Sequence, residues 1–250
     1  MKKYLMTVVA AIVAAGFTSC SNEVDMFEPI NSDKATINLN ITNDNLMITR
    51  AESNVTNTSS WYIKVGTNDQ ISVSELSSKK YTAGEYTIVV SNYANEAAAI
   101  TANQAYYSGS LTKNLVKGSN TVTVSCGKAK NCRVKADLAG LADFSLITAA
   151  KLTVSQEGVD NRVLNTTNTT GYFYAGTGKT ITYQLDYKYN GVDATALTGN
   201  ISSPVAATEY QVKVVTNTNG TITLTITYDT EFTENTVETI TIDAATGEKV

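Results

Sequence analysis

Apolar and polar residues alternate with a period of two along most of this chain, a spacing that fits the extended strand, whose successive side chains point to opposite faces. In Thr36-Ile-Asn-Leu-Asn-Ile-Thr42, Ile37, Leu39 and Ile41 share one face and polar residues the other, which predicts a half-buried strand. The pattern returns in Trp61–Val65, Tyr86–Val90, Thr121–Val124, Ile181–Tyr189, Gln211–Val215, Thr221–Thr227 and Ile240–Ile242, mostly in β-branched or aromatic residues. Turn chemistry falls between these runs. Asn190-Gly191 follows a Tyr-rich strand, Asn219-Gly220 joins Val212–Val215 to Ile222–Ile226 as a hairpin, and Gly118-Ser119 and Thr82-Ala83-Gly84 play similar parts. Only the alanine-rich Asn95–Tyr106 and the stretch Ala142–Lys151 read as helical. Many short strands punctuated by turns predict Greek-key sandwiches rather than a parallel sheet with crossover helices. Lys135-Ala-Asp-Leu-Ala-Gly-Leu-Ala-Asp143 interrupts the alternation, with comparable numbers of strands on each side, and places a seam near residue 140. The expected fold is therefore all-β, with two tandem antiparallel β-sandwiches over 34–140 and 141–250, the second ending in a tail strand.

The residues ahead of the first strand set the address. Lys2 and Lys3 precede an uncharged run from Tyr4 to Phe17, and Thr18-Ser19-Cys20 has the small-residue pattern of a bacterial lipoprotein cleavage site. The run is shorter than the ~20 residues that span a bilayer. Residues 1–19 read as a signal peptide removed to leave a lipidated (palmitate-type) Cys20; a plain signal peptide ending near a cysteine is the alternative, and both export the chain. Residues 20–33, with Glu23, Asp25, Glu28 and Pro29, are polar and acidic and read as a tether. The expected location is the outer membrane, lipid-anchored, at the cell surface.

Composition then removes whole classes of activity. Charged residues make up 17% of the chain, the net charge is −4, and Lys and Arg form no cluster, so nothing supplies a phosphate-tracking groove and nucleic acid is excluded as a partner. The sequence has no histidine. That removes Ser-His and Cys-His pairs, the commonest general base and the usual zinc ligands. No Gly-rich phosphate loop, serine elbow or close carboxylate pair stands out, so the expectation is a non-enzyme without a cofactor.

Cys126 and Cys132 flank the turn-like Gly127-Lys-Ala-Lys-Asn131, and exported thiols tend to oxidise in pairs. A hairpin here would bring the sulfurs into range, giving either a structural disulfide or two idle thiols. Two further constellations invite a ligand. Trp61, Tyr106, Tyr107, Tyr172, Tyr174, Tyr187 and Tyr189 would stack on sugar rings if they lay on one surface, although alternating aromatics more often form a core face and its rim. Asp229, Glu231 and Glu234 gather oxygen ligands in what reads as one loop, but without EF-hand spacing.

Several pieces in order resemble the fimbrillin-like surface lipoproteins of Bacteroidales, in a branch known only as a domain of unknown function. They are the leader to Cys20, Thr49-Arg50-Ala51 after the first strand, Gly84-Glu-Tyr-Thr-Ile-Val-Val90, Tyr106-Tyr107 with Gly109, the segment through Cys126, Gly171-Tyr-Phe173, and Asp229-Thr230. The resemblance implies two transthyretin-like sandwiches, assembly into pili with like subunits or other pilus proteins after proteolysis, and a C-terminal donor segment that Thr236 to Val250 would supply. Cleavage between Arg50 and Ala51, next to the Ser/Asn/Thr-rich Ser53–Ser60, would free the strand carrying Ile37, Leu39, Ile41, Leu46 and Ile48. Five such side chains at ~1.5–3 kcal/mol each amount to about 10 kcal/mol, comparable with the ~5–15 kcal/mol that stabilises a whole domain. A cut subunit would then take a strand from another by β-augmentation. Arg50 as a merely solvated residue is the alternative.

Overall fold

The computed structural model describes residues 33–42, 58–141, 147–216, 221–230 and 233–243. Their inward residues gather into two hydrophobic cores.

Two sheets enclose the first core. One has the order β4 (Tyr81–Thr82), β1 (Lys34–Thr42), β7 (Gly118–Ser125); the other runs β3 (Ile71–Ser72), β2 (Tyr62–Val65), β5 (Gly84–Ser91), β6 (Ser108–Leu115). Trp61, Ile63, Val65, Ile88, Val90, Leu115, Val122 and Val124 fill the space between them, as the period-two pattern requires. The strand β6 escapes the sequence pattern because it is the edge of its sheet: of its eight residues only Leu115 is fully buried, so polar residues are tolerated along it. The alanine-rich segment forms one short helix, α1 (Glu96–Thr101), whose first turn is capped by the Asn95 side chain accepting from Ala98 N–H at 2.8 Å.

The second core lies between the sheet β10 (Val159–Leu164), β9 (Ile147–Gln156), β12 (Thr180–Tyr189), β13 (Val192–Asp193), with β14 (Leu197–Ser202) also pairing β12, and the sheet β11 (Thr170–Phe173), β8 (Cys132–Asp137), β15 (Glu209–Thr216), β16 (Thr221–Thr230), β17 (Thr233–Asp243). The strands β12 and β13 are joined by Asn190 and Gly191, both at positive φ (51° and 82°), the two-residue turn whose twist matches a hairpin. Among the described residues most pairings are antiparallel, but two are parallel. These are β1 with β7 and β8 with β15.

Two sequence expectations need correction. Residues 147–151, at the end of the expected helix Ala142–Lys151, belong instead to strand β9, because Leu152, Val154 and Gln156 alternate inward and pair across to β12. The cysteine segment is no hairpin, since β7 and β8 belong to different sheets. Its linker pairs instead with residues 104–107: Lys130 N–H donates to Tyr106 O at 2.7 Å, and Asn131 bonds both Tyr106 N–H and Gln104 O. Ala129 packs in the first core and Cys132 in the second, where Val134 and Ala136 of β8 also lie.

Polar contacts tie the two cores together. Tyr172 on β11 packs in the first core, and the Arg133 guanidinium lies 5.9 Å from its ring centre while pairing with Glu209. Asn103, at a φ of 56° just past α1, accepts from Tyr172 N–H at 3.0 Å and donates to Thr170 O at 3.2 Å, so its amide closes the edge of β11. Arg162 crosses Gly171, where a Cβ would meet its Cδ at 2.7 Å, and donates to Ile100 O at the end of α1.

Candidate strand-exchange site

The strand β1 is joined to the next described residue, Thr58, only through residues 43–57 and is held chiefly by a parallel ladder to β7 running from Ala35↔Gly118 to Thr42↔Ser125. On its other side, pairing among the described residues is confined to Lys34↔Thr82 and Ala35↔Tyr81 of β4. Ala35 and Ile37 are fully buried, whereas Leu39 and Ile41 are half-buried against the first core. Facing them on β7 are Asn120, Val122 and Val124, all buried. One end of the seat is therefore closed and the other open.

Asn120 marks the closed end. Its side-chain amide donates to Val116 O (2.7 Å), Gly118 O (3.0 Å) and Thr36 O (3.2 Å), and its oxygen accepts from Val116 N–H at 2.9 Å. With its oxygen engaged and its two amide hydrogens shared among three carbonyls, this buried side chain is stabilising where an unpaired one would cost ~1–3 kcal/mol. On the solvent face Asn38 donates to Ser119 Oγ at 2.8 Å. At the open end, Cys126 N–H donates to Thr42 O at 2.9 Å. Asn120 was missed in the sequence, yet a signal was there: it is the polar residue in the inward series 120, 122, 124.

The sequence candidates are distributed as follows. Cys20, Arg50, Ala51, Leu46 and Ile48 lie outside the described residues. Both Cys126 and Cys132 are free thiols. Cys126 belongs to the first core and has Val90 O 3.8 Å from its sulfur, while Cys132 belongs to the second, with Phe173 O at 3.4 Å. Burial pushes the Cys126 thiol up to about 11 and the Cys132 thiol up to about 12. Among the aromatics, Trp61, Tyr107, Tyr172 and Tyr187 are core residues, and Tyr106, Tyr174 and Tyr189 are half-buried. The Lys179 ammonium sits 5.3 Å from the ring centre of Tyr174. Asp229 and Glu234 are opposed in the hairpin of β16 and β17 rather than gathered in a loop, and Glu231 lies outside the described residues. Among the described residues no three metal-ligating side chains come together, and no helix is long and apolar enough to cross a membrane.

Residues 33–244 match a family described as a domain of unknown function, DUF4493. No curated protein matches the chain in sequence. Among solved structures, a fimbrial assembly protein of Parabacteroides distasonis aligns at 13% identity and a TM-score of 0.41, over 86% of this chain and 97% of its own. A proposed cell adhesion protein of Bacteroides ovatus aligns at 12% identity and a TM-score of 0.36, over 79% and 95%. A proposed adhesin of Bacteroides thetaiotaomicron does so at 11% and 0.33, over 83% and 79%.

Proposed function

This chain belongs to the DUF4493 family, and from that premise we propose that it is a non-enzymatic cell-surface lipoprotein, a fimbrillin-like structural or adhesion subunit that assembles by strand exchange. In this reading the two cores are two tandem sandwich domains, Cys20 carries the lipid, and cleavage after Arg50 separates β1 from the rest of the chain. The partner is another subunit that offers an extended segment. The observation that carries the reading is the seating of β1: one ladder to β7, two residues of β4, and a stripe of four apolar side chains.

The energetics favour a seat that must be filled but need not keep its first occupant. Full burial of Ile37, half burial of Leu39 and Ile41, and the small contribution of Ala35 together come to about 5 kcal/mol. That is half the sequence-based expectation, because Leu39 and Ile41 stay partly wet and Leu46 and Ile48 do not enter the sum. A loss of that size would leave a domain marginal. Backbone pairing to β7 is available to any extended segment, and side-chain fit decides which one stays.

Mass spectrometry of the protein taken from its native surface tests this directly. A mature N-terminus at Ala51 is the expected result, and a population that begins only at lipidated Cys20 contradicts processing at Arg50.

A further inference from the structure

The cleft that holds β1 differs at its two ends, and the difference specifies an occupant. At the closed end Ala35 lies between Tyr81 of β4 and Gly118 of β7, is fully buried, and is braced by the Ala83 N–H bond to Asp33 O at 2.8 Å. A larger side chain would overpack a position that is already fully buried. One residue further along, the Asn120 amide takes the carbonyl of Thr36, a group that every extended segment presents whatever its sequence. At the open end Leu39 and Ile41 remain half-buried, and among the described residues no strand pairs with the outer edge of β1 beyond Ala35. The outward positions Thr36, Asn38 and Asn40 are uncharged.

We propose that this cleft is a polarised strand receptor, in which Asn120 latches the backbone of the occupant and the Ala35 seat, admitting only a small side chain, sets its register, while the Leu39 and Ile41 seats tolerate any aliphatic or aromatic residue. The partner it fits is an uncharged extended segment of the pattern small, polar, β-branched, polar, large apolar, polar, large apolar. Asn120 acts as a positioning residue, since it bonds the backbone of the occupant rather than its side chains. In sequence Arg50 follows the open end, so a cut there frees the loosely held half of β1 and leaves the latched half to be displaced last. This inference rests on the strand-exchange reading and adds its specificity.

The test uses the full chain cut after Arg50 with an arginine-specific endoproteinase. The other two arginines, Arg133 and Arg162, lie on strands and engage Glu209 and Ile100 O. Fluorescent peptides spanning Lys34–Thr42 are offered to the cut protein, and binding is followed by anisotropy. The unaltered peptide should bind. An Ala35→Trp peptide should bind at least about tenfold more weakly, the fold-change that overpacking predicts, and an Ile41→Trp peptide should stay within about twofold of the original. In cut Asn120→Ala protein the unaltered peptide should leave faster. If the Ala35→Trp peptide binds as well as the original, the polarised receptor is refuted and strand exchange stands; if no peptide binds, not even the original, both readings fall.

Discussion

Ile37 and Ile41 offer a useful comparison, because they are the same residue on the same face of the same strand and differ in burial. Ile37 is 4% exposed at the closed end of the cleft, and Ile41 is half-buried at the open end. Ile→Ala removes three carbons, which at ~0.8 kcal/mol each is about 2.4 kcal/mol. A residual cavity at a site that cannot collapse brings the Ile37→Ala loss to about 3 kcal/mol. At Ile41 about half of the transfer term is at stake and the edge can close over the gap, so about 1 kcal/mol is expected. Urea unfolding followed by Trp61 fluorescence reads this cleanly, since Trp61 is the single tryptophan and sits in the same core as β1. With an unchanged dependence on denaturant, the midpoint should fall about three times further for Ile37→Ala than for Ile41→Ala. Equal losses, or a larger loss at Ile41, would refute the polarity of the cleft.

Glu96 supplies a pH dependence whose sign follows from its burial. Burial raises its pKa above the ordinary glutamate value, with Lys179 partly offsetting the effect. The folded protein thus holds this proton more tightly than the unfolded chain, so the contribution of Glu96 to stability is present below the ordinary glutamate pKa and is lost as pH rises through the raised one. Melting curves of Glu96→Gln and the original should coincide in acid and separate above that window with the variant more stable; separation in the opposite order would contradict the burial. Both thiols should resist iodoacetamide in the native protein and react in denaturant, and an intact mass two hydrogens short would reveal a disulfide that the structure does not contain. Gly109→Ala should destabilise by about 3 kcal/mol or more, because the new Cβ would run into the Ser125 carbonyl oxygen and lie 3.0 Å from the Cys126 sulfur; an unchanged melting temperature would show that β6 and β7 can part there.

The strands legible in the sequence are those in which burial and alternation coincide, such as Trp61–Val65 and Ile181–Tyr189. Those that escaped carry weaker patterns for identifiable reasons. The edge strand β6 has few inward residues to mark it, and the alanines at 149 and 150 disguise the start of β9, which pairing with β12 decides. The cysteine segment failed differently: its turn residues are real, but they carry the chain from one core to the other, and only the long-range bonds of Lys130 and Asn131 determine that. Pairing partners are also invisible to local patterning, so the parallel ladder between β1 and β7 could not be read from either strand. Of the candidate site, the apolar stripe of β1 was legible, while its uneven depth depends on where β4 stops. Asn120 escaped the sequence reading: its place as a lone polar residue among inward valines is a signal, but its hydrogen-bond partners are set by residues 116–118 and by β1.

The claim that most needs testing is that β1 can be removed and replaced. Native mass spectrometry of the full chain after cleavage at Arg50 measures this in one spectrum. The expected result is loss of the N-terminal fragment from the 51–250 body, accompanied by multimers of that body joined without the fragment. A nicked protein that keeps its fragment and remains a monomer at concentrations where fragment and body can exchange would contradict it.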